Sequence, residues 1–227
     1  MIRDPGDHHH LQLFEDHRWA VAGAVILYLL AGALFVIMAV DASLLQPLDA
    51  WWRERMVAGE AAWVTLLAKT LDVLGRAFVT WPLRIGLAVF LGVRRYWVLL
   101  GYWIATALVT EVSIGLLKNA YDRPRPPGSL VETTSASFPS GHSVVGAAIA
   151  IALVIVLFAP GAHRRIWEIR AGLFAFVMAM SRVYLRAHWL SDVVAGVLLG
   201  AATALAFGAI ADEFRKRLRL DRPSRAG

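Results

Sequence analysis

Two long stretches of this sequence carry no charged residue. They are residues 19–40 (WAVAGAVILYLLAGALFVIMAV) and residues 193–211 (VVAGVLLGAATALAFGAIA). A helix of about 20 apolar residues crosses the hydrocarbon core of a bilayer, which is roughly 30 Å thick. The first stretch is also too long for the apolar core of a secretory signal peptide. Because 58% of all residues are hydrophobic, well above the fraction found in typical soluble domains, the chain is predicted to be an integral membrane protein.

Apolar stretches at helical spacing recur along the chain and predict an all-α fold, a polytopic membrane bundle of six transmembrane helices. Between the first two spans, residues 61–75 (AAWVTLLAKTLDVLG) predict an interfacial helix in the first extracytoplasmic loop. We treat residues 1–227 as a single membrane domain. The predicted spans are residues 19–40, 77–93, 96–117, 142–160, 166–185 and 189–211.

The distribution of basic residues indicates the topology. With an even number of spans, both termini share one side of the membrane, and that side holds Arg94–Arg95, the cluster at 164–170 and the basic tail at 213–225 (EFRKRLRLDRPSR). The positive-inside rule therefore predicts a plasma-membrane protein with cytoplasmic termini. The same clustering between spans argues against a nucleic-acid partner as the reason for the net charge of +6. The loops predicted to lie outside are residues 41–75, 118–141 and 182–192.

Two of these outer loops carry polar motifs in an otherwise apolar chain. One contains KNAYDRPRP (118–126) and PSGH (139–142), and the other lies within SRVYLRAHWLSD (181–192). Since both loops fall on the same predicted side, their charged side chains can converge. Arginine and lysine together bind phosphate or a similar tetrahedral anion. The residues expected to converge are Lys118, Arg125, His142, Arg182, His188 and Asp192.

The spacing within these motifs predicts a reaction at phosphorus. On a helix, His188 and Asp192 would share one face, so the carboxylate would accept the Nδ1–H of His188 and leave Nε2 free as a nucleophile. Ser140 resembles a helix N-cap, Gly141 allows close backbone approach, and the N–H groups that follow form an anion site. His142 would protonate the leaving alkoxide and later accept a proton from water. Transition-state charge would be held by the backbone amides and by Lys118, Arg125 and Arg182.

The order Lys-x6-Arg-Pro, Pro-Ser-Gly-His and Ser-Arg-x5-His-x3-Asp resembles the signature of the type 2 phosphatidic acid phosphatase superfamily. In this sequence the three blocks are Lys118 to Pro126, Pro139 to His142 and Ser181 to Asp192. That superfamily also includes vanadium-dependent haloperoxidases and bacterial acid phosphatases. The resemblance implies a phosphohistidine intermediate on His188, His142 as acid and base, no metal or other cofactor, and an extracytoplasmic site for lipid phosphates.

Alternatives remain open at the level of sequence. The same site would serve a phosphatase for undecaprenyl diphosphate, phosphatidylglycerol phosphate or phosphatidic acid, or a lipid phosphotransferase, and a non-enzymatic lipid-binding or transport bundle is a third reading. Taken singly, Arg182 could be an interfacial residue, and the His188 and Asp192 pair could be a structural cap.

Further residues carry two interpretations each. Arg84 and Glu111 are mid-span charges that either pair or line the path of the substrate. Gly196 and Gly200 allow close packing within the bundle or between two chains. Three residues at variable positions of the motifs are candidates for head-group selection or for charge balance, namely Arg123, Tyr184 and Arg186.

Overall fold

The computed structural model describes residues 13–220, and all regular elements of this part of the chain are helices. This confirms the all-α prediction. The last basic residues of the tail, Arg222 and Arg225, lie outside the described residues. The helices are α1 (His17–Asp41), α2 (Gln46–Ala58), α3 (Ala62–Gly75), α4 (Ala77–Val93), α5 (Trp97–Tyr121), α6 (Gly141–Leu157), α7 (Ala162–Tyr184) and α8 (Leu190–Leu220), with a short 3-10 turn (Ala42–Leu44) between α1 and α2.

Three of these helices are long and apolar enough to cross a membrane by themselves, namely α1, α5 and α8. Helices α3 and α4 meet the same criterion as a pair, bent by 50° at Arg76. Helix α6 is apolar but has only 17 residues, and α7 carries charged side chains through its first turns. Length and composition thus support three or four spans in the described residues, and six spans remain a prediction.

The helix ends follow from local sequence. Asp16 caps α1 by accepting a hydrogen bond from Arg18 N. Helix α5 ends at Tyr121 because Asp122 adopts the left-handed region, with φ 37°, and a proline-rich segment (RPRPP) follows that cannot continue a helix. The side-chain oxygen of Ser140 accepts a hydrogen bond from Ser143 N at the start of α6, as its N-cap position predicts.

Helix α8 lies at the centre of the bundle and packs against α1, α5, α6 and α7. Its closest approach is to α6, where a β-carbon at Gly196 would lie 2.8 Å from Ser140 O, and one at Gly200 would overlap Val144 O. The two glycines therefore pack inside the bundle, which is one of the two predicted uses. Because α8 crosses at Ser140, it brings the start of α6 next to its own first turn.

The two mid-span charges form an ion pair, which was one of the predicted alternatives. Arg84 on α4 is only 3% exposed, and its Nη1 lies 2.5 Å from Glu111 Oε1 on α5. Pairing lowers the cost of placing either charge in an apolar surrounding. Large apolar side chains such as Leu29, Ile85 and Leu116 stay exposed on the outside of the bundle, as expected for a surface that contacts lipid.

Candidate active site

The two polar loops contact each other at one end of the bundle. Leu130 N donates to Leu185 O at 2.9 Å, and Trp189 Nε1 donates to Pro124 O at 2.9 Å. Arg125 Nη1 adds a hydrogen bond of 2.6 Å to Ala187 O. These contacts hold the segment after α5 against the short connection between α7 and α8.

His188 lies in this connection and not in a helix. The prediction that His188 and Asp192 share a helical face is therefore wrong, since α8 begins only at Leu190. The chain turns sharply because Arg186 has a positive φ of 54° and the N–H groups of Ala187 and His188 both donate to Arg182 O. The turn still brings Nδ1 of His188 to 3.5 Å from Asp192 Oδ2.

The surroundings of the His188 ring fix its charge and its tautomer. The residue is 3% exposed, and burial lowers its pKa to about 3, although the Asp192 carboxylate opposes the shift. The ring is therefore neutral at pH 7. Its Nε2 lies 3.2 Å from Arg125 Nη1, and a guanidinium only donates. Nε2 must then carry the lone pair and Nδ1 the hydrogen, which is the tautomer that a nucleophilic Nε2 would require.

Asp192 is held by a buried network. Its carboxylate accepts from Trp189 N at 2.9 Å, from Ser137 Oγ and from Arg123 Nη1. The other end of the Arg123 guanidinium pairs with Asp49 Oδ2 at 2.7 Å. The four polar side chains of this network are all buried, namely Asp49, Arg123, Ser137 and Asp192. The orientation of Asp192 on α8 is therefore fixed by residues of α2 and of the loop between α5 and α6.

The three cations of the motifs lie around His188 but bind protein oxygens. Lys118 and Arg182 are in the last turns of α5 and α7. Both were predicted as the first residue of an outer loop, although the predicted span 166–185 also included Arg182. Lys118 Nζ donates to Ala136 O, and Arg125 Nε donates to Ser135 O at 2.6 Å. Burial lowers the pKa of Arg125, and the neighbouring Arg182 adds to this effect.

The PSGH turn forms the opposite wall of the site. Ser140 N donates to Asp192 O at 3.1 Å, and its hydroxyl caps α6. Gly141 is the first residue of the helix, and a β-carbon there would meet only Ile114, at 3.7 Å. The described protein atoms therefore do not require glycine at this position. His142, in the first turn, remains partly exposed.

His142 contacts α3, which the sequence analysis had not connected to the site. Its Nε2 lies 3.0 Å from the backbone oxygen of Asp72 and 3.5 Å from Asp72 Oδ1. The same carboxylate pairs with Arg182 Nη1 and, through Oδ2, with Arg76 Nη2 at 2.8 Å. Asp72 and Arg182 are both buried, so the contact between them is shielded from water, whereas the Arg76 side chain is 43% exposed.

Sequence reasoning therefore missed three polar side chains at the site, Asp49, Asp72 and Ser137. The available signal was that a carboxylate in so apolar a chain needs a partner. However, Asp49 pairs with Arg123, 74 residues away, and Asp72 contacts His142, 70 residues away, in addition to the local Arg76. The residues at variable motif positions also acquire contacts. Arg123 is buried in the Asp192 network, Tyr184 Oη bonds to the start of α3, and Arg186 pairs with Glu60 at 3.1 Å.

The sequence model of the PAP2 superfamily matches residues 95–216, more than half of the chain. The chain belongs to the PAP2 superfamily. All three motif blocks lie inside the matched region, whereas Asp49 and Asp72 precede it.

Relatives in the PAP2 superfamily are similar in sequence and in structure. Phosphatidylglycerophosphatase B of Bacillus subtilis (strain 168) is 40% identical over 90 residues, which cover 37% of this chain and 44% of that protein. The chain thus aligns with less than half the length of this curated relative. The crystal structure of a transmembrane PAP2-type phosphatidylglycerolphosphate phosphatase from Bacillus subtilis matches with a TM-score of 0.73 and 26% identity, over 88% of this chain and 98% of that chain. LpxE of Aquifex aeolicus shares the fold, with a TM-score of 0.58 and 22% identity over 70% of this chain and 94% of that chain.

Proposed function

We propose that this protein is a membrane lipid phosphatase that acts through a phosphohistidine on His188. The observation that carries the proposal is the neutral, buried His188, whose Nδ1 lies beside Asp192 and whose Nε2 faces Arg125. Family membership supports the reaction type. The similarity to phosphatidylglycerophosphatases makes phosphatidylglycerol phosphate the first substrate to test, followed by phosphatidic acid and undecaprenyl diphosphate.

The reaction proceeds in two displacements at phosphorus. In the first, Nε2 of His188 forms a bond to phosphorus, the bond to the leaving oxygen breaks, and His142 gives its proton to that oxygen, which leaves as an alcohol. The Nδ1–H then donates to Asp192, whose charge stabilises the phosphorylated ring. In the second, His142 takes a proton from water, the hydroxide attacks phosphorus, and inorganic phosphate leaves His188. The phosphate oxygens are held by the N–H groups at the start of helix α6, from Gly141 onward after the Ser140 cap, and by Lys118, Arg125 and Arg182.

The placement in the membrane follows from the same proposal. Six spans, with α3 in the interface, put both termini in the cytoplasm and the two motif loops on the outer face. The apolar outer surface of the helices keeps the lipid tail in the bilayer, while the polar end of the bundle receives the phosphate. Cysteine scanning with a membrane-impermeant thiol reagent tests this directly, because the chain has no native cysteine. Cysteines in the 128–135 loop should be labelled in intact cells, and cysteines at 94–95 should not.

The decisive experiment measures phosphate release from purified lipid phosphates. His188→Ala and His142→Ala should abolish turnover, whereas His163→Ala, which changes an exposed histidine at the start of α7, should leave it unchanged. A phosphoenzyme that is labile in acid and stable in base should form in the wild type and be absent in His188→Ala. Turnover by folded His188→Ala would overturn the proposal. Recovery of the labelled phosphate on a second lipid, and not as free phosphate, would instead identify a phosphotransferase.

A further inference from the structure

Asp72 on α3 joins two groups that the proposed reaction uses at different moments. Its side chain pairs with Arg182, a phosphate ligand in the proposed mechanism, and its backbone oxygen and Oδ1 both face His142 Nε2. Arg76, on the next turn, holds Oδ2 through Nε at 3.0 Å and Nη2 at 2.8 Å. Asp72 is therefore fixed from three directions at the edge of the site.

The contact to α3 determines which nitrogen of His142 meets the substrate. A backbone carbonyl only accepts hydrogen bonds, so the Nε2 that lies 3.0 Å from Asp72 O must carry a hydrogen. Nδ1 is then the nitrogen that exchanges the proton with the leaving oxygen. After the transfer, the neutral ring keeps its Nε2–H on Asp72 O and does not need to turn. The nearby carboxylate favours the doubly protonated ring that acts as the acid, against burial and the adjacent cations Arg182 and Arg76, which disfavour it.

The contact to Arg182 places a carboxylate where a phosphate oxygen would bind. Carboxylate and phosphate oxygens accept the same charge-assisted hydrogen bonds from a guanidinium. Arg182 Nη1 donates a hydrogen bond to Asp72 Oδ1. The Nε of Arg182 is buried and has no hydrogen-bond partner in the described structure. A bound phosphate would therefore compete with Asp72 for Arg182, and the carboxylate would remain beside His142.

We propose that Asp72 is a positioning residue of this site, which orients His142 through Nε2 and occupies Arg182 until a phosphate replaces it. The proposal rests on the proposed phosphatase function. It assigns a role in the reaction to a helix that precedes the region matched by the superfamily.

Asp72→Asn keeps the side-chain shape and removes the charge. It should slow the reaction, because His142 is oriented less well, and tighten the binding of phosphate, because Arg182 is released. The value of kcat should fall about 10- to 100-fold, because general acid catalysis contributes 10²- to 10⁴-fold and the acid is weakened but present. Inorganic phosphate and vanadate should bind about three- to tenfold more tightly, because Arg182 no longer has a competing anion. The basic limb of the pH profile of kcat should move to lower pH, since the doubly protonated His142 loses its stabilising neighbour.

Asp212→Asn is the matched control. Asp212 is an equally buried carboxylate on α8 that accepts from Leu13 N at 2.7 Å and pairs with Lys216 at 2.8 Å, away from His142 and Arg182. This variant should lower stability without moving the pH profile or the affinity for inorganic phosphate. If Asp72→Asn does not fold, Asp72→Glu retains the charge and displaces it, so kcat should fall while the affinity for vanadate stays near that of the wild type.

Several results would overturn the role of Asp72. They are an unchanged kcat in folded Asp72→Asn or Asp72→Glu, weaker binding of vanadate by Asp72→Asn, or a pH profile that matches the wild type. Binding of inorganic phosphate and vanadate is measured without turnover, by calorimetry on the purified protein. Failure of the phosphatase proposal is recognised separately, as the absence of phosphate release by the wild type from every lipid phosphate tested.

Discussion

The imidazole of His142 lies directly against the backbone of Gly75, at the break between α3 and α4. A β-carbon at position 75 would overlap Cδ2 of His142 and lie 3.0 Å from its Nε2. The absence of a side chain at Gly75 is what leaves room for the ring of His142 against α3. The contact between α3 and His142, the proposed acid, therefore depends on glycine at position 75.

Gly75→Ala should reduce kcat more than it changes KM. The added methyl group displaces the ring of His142, and a misplacement of about 1 Å can cost on the order of 10²-fold in rate. Steady-state kinetics with a lipid phosphate measures both constants. Gly86→Ala on α4 is the control, because a β-carbon there meets no atom of residues 13–220 within 4 Å, and it should behave like the wild type. An unchanged kcat in Gly75→Ala would contradict the packing described.

Removal of Arg123 should destabilise the protein far more than removal of the Asp49 charge. Arg123 lies between two buried carboxylates, those of Asp49 and Asp192. Arg123→Gln leaves both carboxylates without their cation, which costs about 3–5 kcal/mol. Asp49→Asn leaves one cation with one carboxylate and should cost only about 1–2 kcal/mol. Unfolding in detergent, followed by circular dichroism, compares the two, and equal losses would argue against this network.

Lowering the pH should destabilise the folded wild type, because the buried ring of His188 is neutral and resists protonation. His188 lies in the connection between α7 and α8. Burial lowers its pKa to about 3 in the folded protein, against about 6.5 in an unfolded chain. Between these values the unfolded state binds more protons, so stability is complete above pH 6.5 and declines as the pH falls towards 3. At pH 5 the loss from this residue amounts to about 2 kcal/mol.

The comparison with His188→Gln isolates this contribution. The variant should lose less stability than the wild type between pH 7 and pH 5, measured by chemical unfolding at each pH. In ¹⁵N spectra of histidine-labelled protein, the signal absent from His188→Gln should keep the chemical shift of a neutral ring down to pH 5. A midpoint near 6.5 for that signal would disprove the buried neutral state.

Gly200→Ala should destabilise the bundle by about 1–3 kcal/mol, the usual cost of overpacking. A β-carbon at this position overlaps Val144 O on α6, so α6 and α8 would have to separate. Gly172→Ala on α7, where a β-carbon meets no atom of the described residues within 4 Å, should be neutral or slightly stabilising. Thermal unfolding of both variants in the same detergent measures the difference. Equal melting temperatures would show that the two helices are not in close contact.

The helices and most of the candidate site were accessible from the sequence. Uncharged stretches and helical periodicity predicted a membrane-type all-α chain, because both properties depend on residues close together along the chain. The proposed nucleophile, acid and cations were found because they occur in three short motifs, from Lys118 to Asp192. The end of α5 was less accurate, since the apolar run stops at residue 117 whereas the helix continues through Lys118 to Tyr121. The predicted end of the fifth span, at residue 185, lies one residue from the observed end of α7 at Tyr184.

Only the tertiary structure decided how these groups are held. Asp72 precedes His142 by 70 residues and Arg182 by 110, and no local pattern connects them. Their contact depends on how α3, α6 and α7 pack, and the position of the His142 ring also depends on the absence of a side chain at Gly75. The same is true of Asp49, which is linked to Asp192 through Arg123 and accepts hydrogen bonds from the neighbouring Ser191. Sequence by itself determined which chemical groups the protein carries, and helix packing determined their partners, because burial forces each charge to pair with whatever the neighbouring helix presents.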